Sequence, residues 1–224
     1  MPAMAQVLES TRSRLSVRER DRRYALLREQ LRARGAGCAV VSGSNLFYLS
    51  NGISGERFGL LPADELPLTV VVNGRHLIDV PASVIVESQE WVQDVRPGND
   101  ASPLVARIQE LRLDSGTIGV ASRNMPLDAY QQLQMALPSA KLVDVSDIFA
   151  DVRSLKSAEE VAMLEQASRV FDAGIQRLFE RARPGMTGAE CVREGIQGMW
   201  AAGGDLDSTI GFNFGPVAKQ NPVL

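Results

Sequence analysis

The sequence predicts an α/β fold with a mixed sheet and flanking helices, followed by a shorter α+β portion, on three observations. Short valine- and isoleucine-rich runs alternate with amphipathic helical segments as far as about residue 150. Two helices then follow one another directly, each opened by a capping signature. After them one alternating run, Thr209–Gly215, reads as a strand with a single apolar face.

Met1 to Thr11 has neither the basic start nor the continuous apolar stretch of a signal peptide, and residues 1–15 are expected to be a flexible tail. A helix is expected from about Val17 to Arg34. Ser16 and Glu19 make an S-x-x-E capping box, Tyr24, Leu27 and Leu31 form the apolar stripe, and Gly35 ends it. Arginines cluster between Arg12 and Arg34, but Glu19, Asp21 and Glu29 are interleaved, which is the pattern of a solvated helix face. Cys38–Val41 is a short apolar run and hence a buried strand. Ser42-Gly43-Ser44-Asn45 then caps a short helical turn at Leu46-Phe47-Tyr48, and Gly52 to Pro67 reads as a loop containing Gly55-Glu56-Arg57-Phe58-Gly59.

Leu68–Val72 and His76–Val80 flank Asn73-Gly74, which suits the left-handed dihedrals of a type I′ hairpin turn. Val84–Val86 fits a helix or an extended run, and Trp91–Val95 a short strand. Asp100 or Ser102 caps a helix with Pro103 in its first turn and Leu104, Ile108 and Leu111 facing inward. Thr117–Val120 is a strand, and Pro126–Leu137 a helix with Leu127, Tyr130, Leu133 and Leu137 as its apolar residues. Lys141–Val145 is the next strand, and Asp147–Arg153 carries the chain onward.

Ser157 and Glu160 form the next capping box, and behind them Val161, Leu164, Ser168, Phe171, Ile175 and Leu178 repeat at helical spacing. Arg183-Pro184-Gly185-Met186 stops that helix, because proline cannot donate the next backbone bond. Thr187 and Glu190 open a second helix carrying Val192, Gly195, Ile196, Met199 and Trp200, which ends at Gly203-Gly204. The expected division is a tail (1–15), an α/β domain (16–150), and a truncated portion (151–224) of two helices and one strand.

Bulk properties bound the function. Over 224 residues the chain is 45% hydrophobic and 23% charged with a formal net charge of −3, an ordinary soluble composition that points to neither nucleic acid nor an anionic membrane as partner. Cys38 and Cys191 are far apart and read as reduced core residues, so the cytoplasm is the expected compartment. Most isolated chemical signals reduce to structure. Asp205 and Asp207 sit in a Gly- and Ser-flanked loop, and His76, the one histidine, cannot build a ligand cluster alone. Ser42-Gly43-Ser44 lacks an identifiable base and reads as a helix cap, while Gly52, Gly55 and Gly59 do not make a phosphate loop. Trp91 and Trp200 are expected in the core.

Residue identities carry a resemblance. Arg153-Ser154-Leu155-Lys156-Ser157-Ala158-Glu159-Glu160, followed a helix later by Pro184-Gly185-Met186-Thr187, resembles the entry into the catalytic domain of the creatinase/prolidase family of "pita-bread" metallohydrolases. Gly188 stands where that family usually has glutamate, while Glu190 is kept. Gly35-Ala36-Gly37-Cys38-Ala39-Val40-Val41 and Ser44-Asn45-Leu46-Phe47-Tyr48-Leu49-Ser50-Asn51-Gly52 resemble the family's first strand and its S-N-x-x-Y-L segment.

The resemblance implies a creatinase-type N-terminal domain followed by the opening of a pita-bread domain, within a homodimeric hydrolase acting on a dipeptide or other small molecule. It implies that Arg57 and Phe58 reach a substrate bound in the other subunit. In full-length relatives it implies two divalent metals (Mn, Co or Zn), whose ligands follow the point where this chain stops. No catalytic or metal-binding residue is therefore expected here, and the chain as given is expected to be inactive. Gly215-Pro216-Val217-Ala218-Lys219-Gln220-Asn221-Pro222 is one residue longer than the family's run and leads into Val223 in place of histidine. That departure leaves open an Xaa-Pro peptidase, a relative cleaving another C–N bond, or a non-catalytic binding or dimerisation module.

Overall fold

The computed structural model describes residues 15–53, 58–72, 90–121, 123 and 125–204. The expected tail before Leu15, the His76–Val80 half of the hairpin, Val84–Val86 and the Thr209–Gly215 strand lie outside the described residues. By their contacts the described residues fall into two units, one within 14–156 and one within 157–224.

In the first unit helix α1 (Val17–Ala33) leads into strand β1 (Ala36–Ser42) and helix α2 (Gly43–Ser50). Then come β2 (Phe58–Pro62), β3 (Thr69–Val72), β4 (Asp94–Pro97), α3 (Ser102–Glu110), β5 (Thr117–Val120), α4 (Leu127–Ala136), β6 (Lys141–Asp144) and α5 (Ser146–Ser154). The strands form one six-stranded sheet in the order β4-β3-β2-β1-β5-β6. β2 pairs antiparallel with β1 and β3, whereas β1–β5, β5–β6 and β3–β4 are parallel. This is the expected mixed α/β sheet.

One face of the sheet carries Cys38, Val40, Leu60, Val71 and Ile118, packed with Leu104 and Ile108 of α3 and Ala129 and Leu133 of α4. Strand alternation sends Ala39, Val41 and Leu61 to the opposite face. There Leu27, Leu31, Leu46, Leu49 and Phe149 of α1, α2 and α5 are fully buried.

Several expectations need correction. β2 falls inside the stretch read as a loop: Phe-Gly-Leu-Leu-Pro is a central strand apolar on both faces, so it shows no alternation. α2 is a full helix of eight residues, and Ser42 makes no side-chain capping bond to it. The Asp147–Arg153 connection is helix α5. Strand β4 begins at Asp94 rather than Trp91, because Trp91 is drawn into the core, where its Nε1 donates to the Leu15 carbonyl at 3.2 Å. Leu127 is exposed, while Leu133 and Leu137 are buried as expected and Ala129 joins them. Asp100 caps nothing as a helix N-cap but accepts from the Ser102 amide at 2.8 Å.

The second unit is a helical hairpin, α6 (Ala158–Arg181) and α7 (Gly188–Ala201). Both capping boxes form, Ser157 with Glu160 and Thr187 with Glu190. The helices meet where Gly174 and Gly198 leave room for Met199 and for the facing backbone. Val161, Leu164, Phe171 and Phe179 are exposed, and so is Trp200, which does not join the expected core. None of the described helices is long and apolar enough to cross a membrane.

Candidate functional site

Of the residues singled out by the sequence, Phe58 and the Ser44–Gly52 segment lie at the corner where β1 turns into α2. Gly43 takes the left-handed conformation that the turn requires, at φ 54°, and starts a helix whose C-cap, Asn51, is also left-handed at φ 55°. Ser50 Oγ donates to the Leu46 carbonyl at 2.8 Å and accepts from the Ile53 amide at 3.0 Å, so the chain leaving α2 is tied down as far as buried Ile53. On the other side Phe58 starts β2, paired with Ser42 of β1 and Val71 of β3, its ring half-buried against the core. Arg57, immediately before Phe58, lies outside the described residues, as do His76, Asp205 and Asp207.

Beneath this corner is a buried polar cluster. Glu19 and Arg23 are each 3% exposed. Arg23 Nε donates to Glu19 Oε1 at 2.9 Å, and Arg22 Nη2 donates to the same oxygen at 2.8 Å. Arg23 Nη1 donates to the Tyr48 carbonyl at 2.5 Å, and its Cζ lies 3.9 Å from the Tyr48 ring centroid. Arg153 reaches the same corner from α5, its Nη1 donating to Asn45 Oδ1 at 2.9 Å and Ser44 Oγ at 3.1 Å. The arginine of the Arg153–Glu160 segment thus touches the Ser44–Asn45 segment. Two sequence patterns far apart in the chain form one contact.

These groups position backbone; none is set up as a nucleophile. Burial pushes the Cys38 thiol up to about 12, so it stays protonated and unreactive. Burial also raises the Tyr24 phenol well above its ordinary value, while its hydroxyl donates to the Leu49 carbonyl at 2.8 Å. Among the described residues no three His, Cys, Asp or Glu side chains converge as metal ligands.

The arginines of α1 keep the expected solvated face in part, with Arg18 and Arg32 exposed, but not throughout. Arg23 is core, and Arg28 and Arg32 reach the carbonyls of Pro62 and Ala63 at 3.2 and 2.7 Å. Spacing alone gives one hint: Arg20, Tyr24, Arg28 and Arg32 recur every four residues along one helix stripe.

A six-stranded mixed sheet flanked by helices, with an arginine-braced corner at the end of its first strand, defines a mixed α/β domain. Residues 23–155 match the Creatinase/Prolidase N-terminal domain, and the chain belongs to that family. It is 27% identical over 197 residues to creatinase of Bacillus sp. (strain B-0618), covering 85% of this chain and 47% of the relative. Its fold is similar to X-Pro aminopeptidase from Thermotoga maritima (TM-score 0.68, 16% identity, 80% of this chain and 49% of that one). It is also similar to dipeptidase PepE from Mycobacterium ulcerans (TM-score 0.64, 23% identity, 85% and 51%). The chain spans about half the length of each of these proteins.

Proposed function

We propose that this chain is the N-terminal portion of a cytoplasmic, homodimeric hydrolase that cleaves a C–N bond in a dipeptide or other small carboxylate-bearing molecule. The observation that carries the reading is the similarity to creatinase, because its 197 aligned residues outrun the matched domain, residues 23–155. In this reading the N-terminal unit serves the active site of the other subunit through the loop before β2. Arg57 supplies a planar guanidinium able to hold a substrate carboxylate through two hydrogen bonds, and Phe58 anchors the loop end. The anchored Ile53 and the paired Phe58 on either side of that loop support this role.

The test is kinetic. In a full-length form, assayed with Xaa-Pro dipeptides and small amidino acids, Arg57→Ala should lower kcat/KM by about tenfold or more, the scale of a lost charge-assisted hydrogen bond, while the fold stays intact. Unchanged kinetics would remove Arg57 from the site. A full-length protein that hydrolyses none of these substrates would favour a binding or dimerisation module.

A further inference from the structure

We propose that the groove between α1 and the Glu65–Leu68 segment binds a small oxyanion, the phosphate or carboxylate group of a metabolite. This inference does not depend on the function proposed above. The groove encloses about 540 Å³, within the usual range of small-molecule pockets. Arg20, Tyr24, Arg28 and Arg32 line it from one helix, and Leu66 and Pro67 offer apolar wall for the rest of a ligand.

Its guanidiniums are oriented but incompletely neutralised. Arg28 Nε donates to the Pro62 carbonyl at 3.2 Å and its Nη2 to the Leu66 carbonyl. Arg32 Nη1 donates to the Ala63 carbonyl at 2.7 Å, and Arg20 Nη1 to the Glu90 carbonyl at 3.2 Å. Carbonyl oxygens fix a guanidinium in place without cancelling its charge, and each arginine has five N–H groups to offer. Arg20 is matched by Asp21, to which its Nε and Nη2 donate at 2.9 and 2.8 Å. Among the described residues neither Arg28 nor Arg32 forms an ion pair. Glu65 lines the groove as its other carboxylate, so three cations face two anions. Burial depresses the Arg28 pKa, and the Arg32 charge adds to this against the pull of Tyr24 and Glu65. Two pre-oriented guanidiniums with excess positive charge suit a planar or tetrahedral oxyanion.

The alternative is that these arginines only brace the 62–66 loop, and charge variants separate the two. The full chain would be titrated with inorganic phosphate, and separately with succinate, at constant ionic strength held with chloride, following backbone amides by NMR. Saturable shifts confined to α1 and residues 62–68 are expected in at least one arm, and the tighter arm identifies the preferred oxyanion. Arg28→Gln combined with Arg32→Gln should weaken binding about tenfold or more, and Glu65→Gln should tighten it about threefold. Shifts that do not saturate, or that match a chloride blank, would overturn the site. So would equal affinity in the wild type and the double variant. If the double variant does not fold, Glu65→Gln decides alone, and unchanged affinity overturns the proposal.

Discussion

Arg153 Nη1 lies 2.9 Å from Asn45 Oδ1 and joins the end of α5 to the start of α2 across 108 positions of sequence. The same nitrogen donates to Ser44 Oγ, and the guanidinium carbon sits 5.9 Å from the Tyr48 ring. One arginine therefore closes the sheet's first corner with the helix that ends the unit. Lys156 Nζ donates in turn to the Arg153 carbonyl, which fixes the backbone just before α6.

Arg153→Ala should destabilise the first unit by about 1–3 kcal/mol, since Asn45, only 5% exposed, would lose a charged donor. Arg153→Lys should recover only part of this, because a shorter ammonium side chain loses the guanidinium's placement beside the Tyr48 ring. Urea unfolding midpoints of the two variants and the wild type would measure it. Equal midpoints would reduce the contact to a surface coincidence.

Glu19 and Arg23 form a buried ion pair whose value lies in being complete. Arg23→Met would leave the Glu19 carboxylate with Arg22, which is itself one-third exposed, and should cost about 3 kcal/mol. The double variant Glu19→Gln with Arg23→Met should lose less than Arg23→Met alone, because no unmatched charge stays buried. Chemical denaturation of the three proteins checks this, and a strictly additive double variant would contradict it.

Elements were legible where local chemistry decides them. The Ser157/Glu160 and Thr187/Glu190 boxes mark α6 and α7 at their first residues, and valine-rich Cys38–Val41 marks β1. β2 was hidden because a strand buried on both faces, containing Gly59 and ending in Pro62, has no periodicity to read. α5 was hidden because its buried residues, Ile148 and Phe149, are adjacent and make no helical stripe. At the candidate site Arg57 and Phe58 were picked out by resemblance alone. The roles of Arg23, Arg28 and Arg32 depend on carbonyls 25 to 38 residues away, which no local pattern encodes.

Glu110 should titrate far below other glutamates. Hydrogen bonds from Arg96 first and Arg107 second hold its carboxyl down at about 2, against an ordinary 4.5. A depressed folded pKa contributes stability that is fully present above about 4.5 and is lost as pH falls through about 2. The side-chain carboxyl resonance of Glu110 should therefore move with a midpoint near 2, and Arg96→Ala should bring it back toward 4.5. In Glu110→Gln the decline in stability between these two pH values should be shallower. A wild-type midpoint near 4.5 would show that the two arginines do not hold the carboxylate in solution.

The hairpin of α6 and α7 depends on a close approach that tolerates no side chain at Gly198. A Cβ there would lie 2.7 Å from the Ala173 carbonyl oxygen, 2.9 Å from Arg177 Cβ and 2.9 Å from Gly174 Cα. Two of these are backbone atoms, so the helices themselves would have to separate. Separation would also strain Arg177, which donates to Gln197 Oε1 at 2.9 Å and pairs by charge with Glu194 at 3.0 Å across the same interface. Glycine to alanine inside a helix ordinarily stabilises by about 1 kcal/mol through reduced chain entropy. Overpacking costs about 1–3 kcal/mol, and here the contact is with backbone, so the overpacking term should win. Gly198→Ala in the full chain should therefore lower the protection of α6 and α7 amides against hydrogen exchange, while β1 and β5 amides keep theirs. Protection in α6 and α7 equal to or above wild type would mean that helix propensity dominates and that the approach of the two helices is looser than these distances.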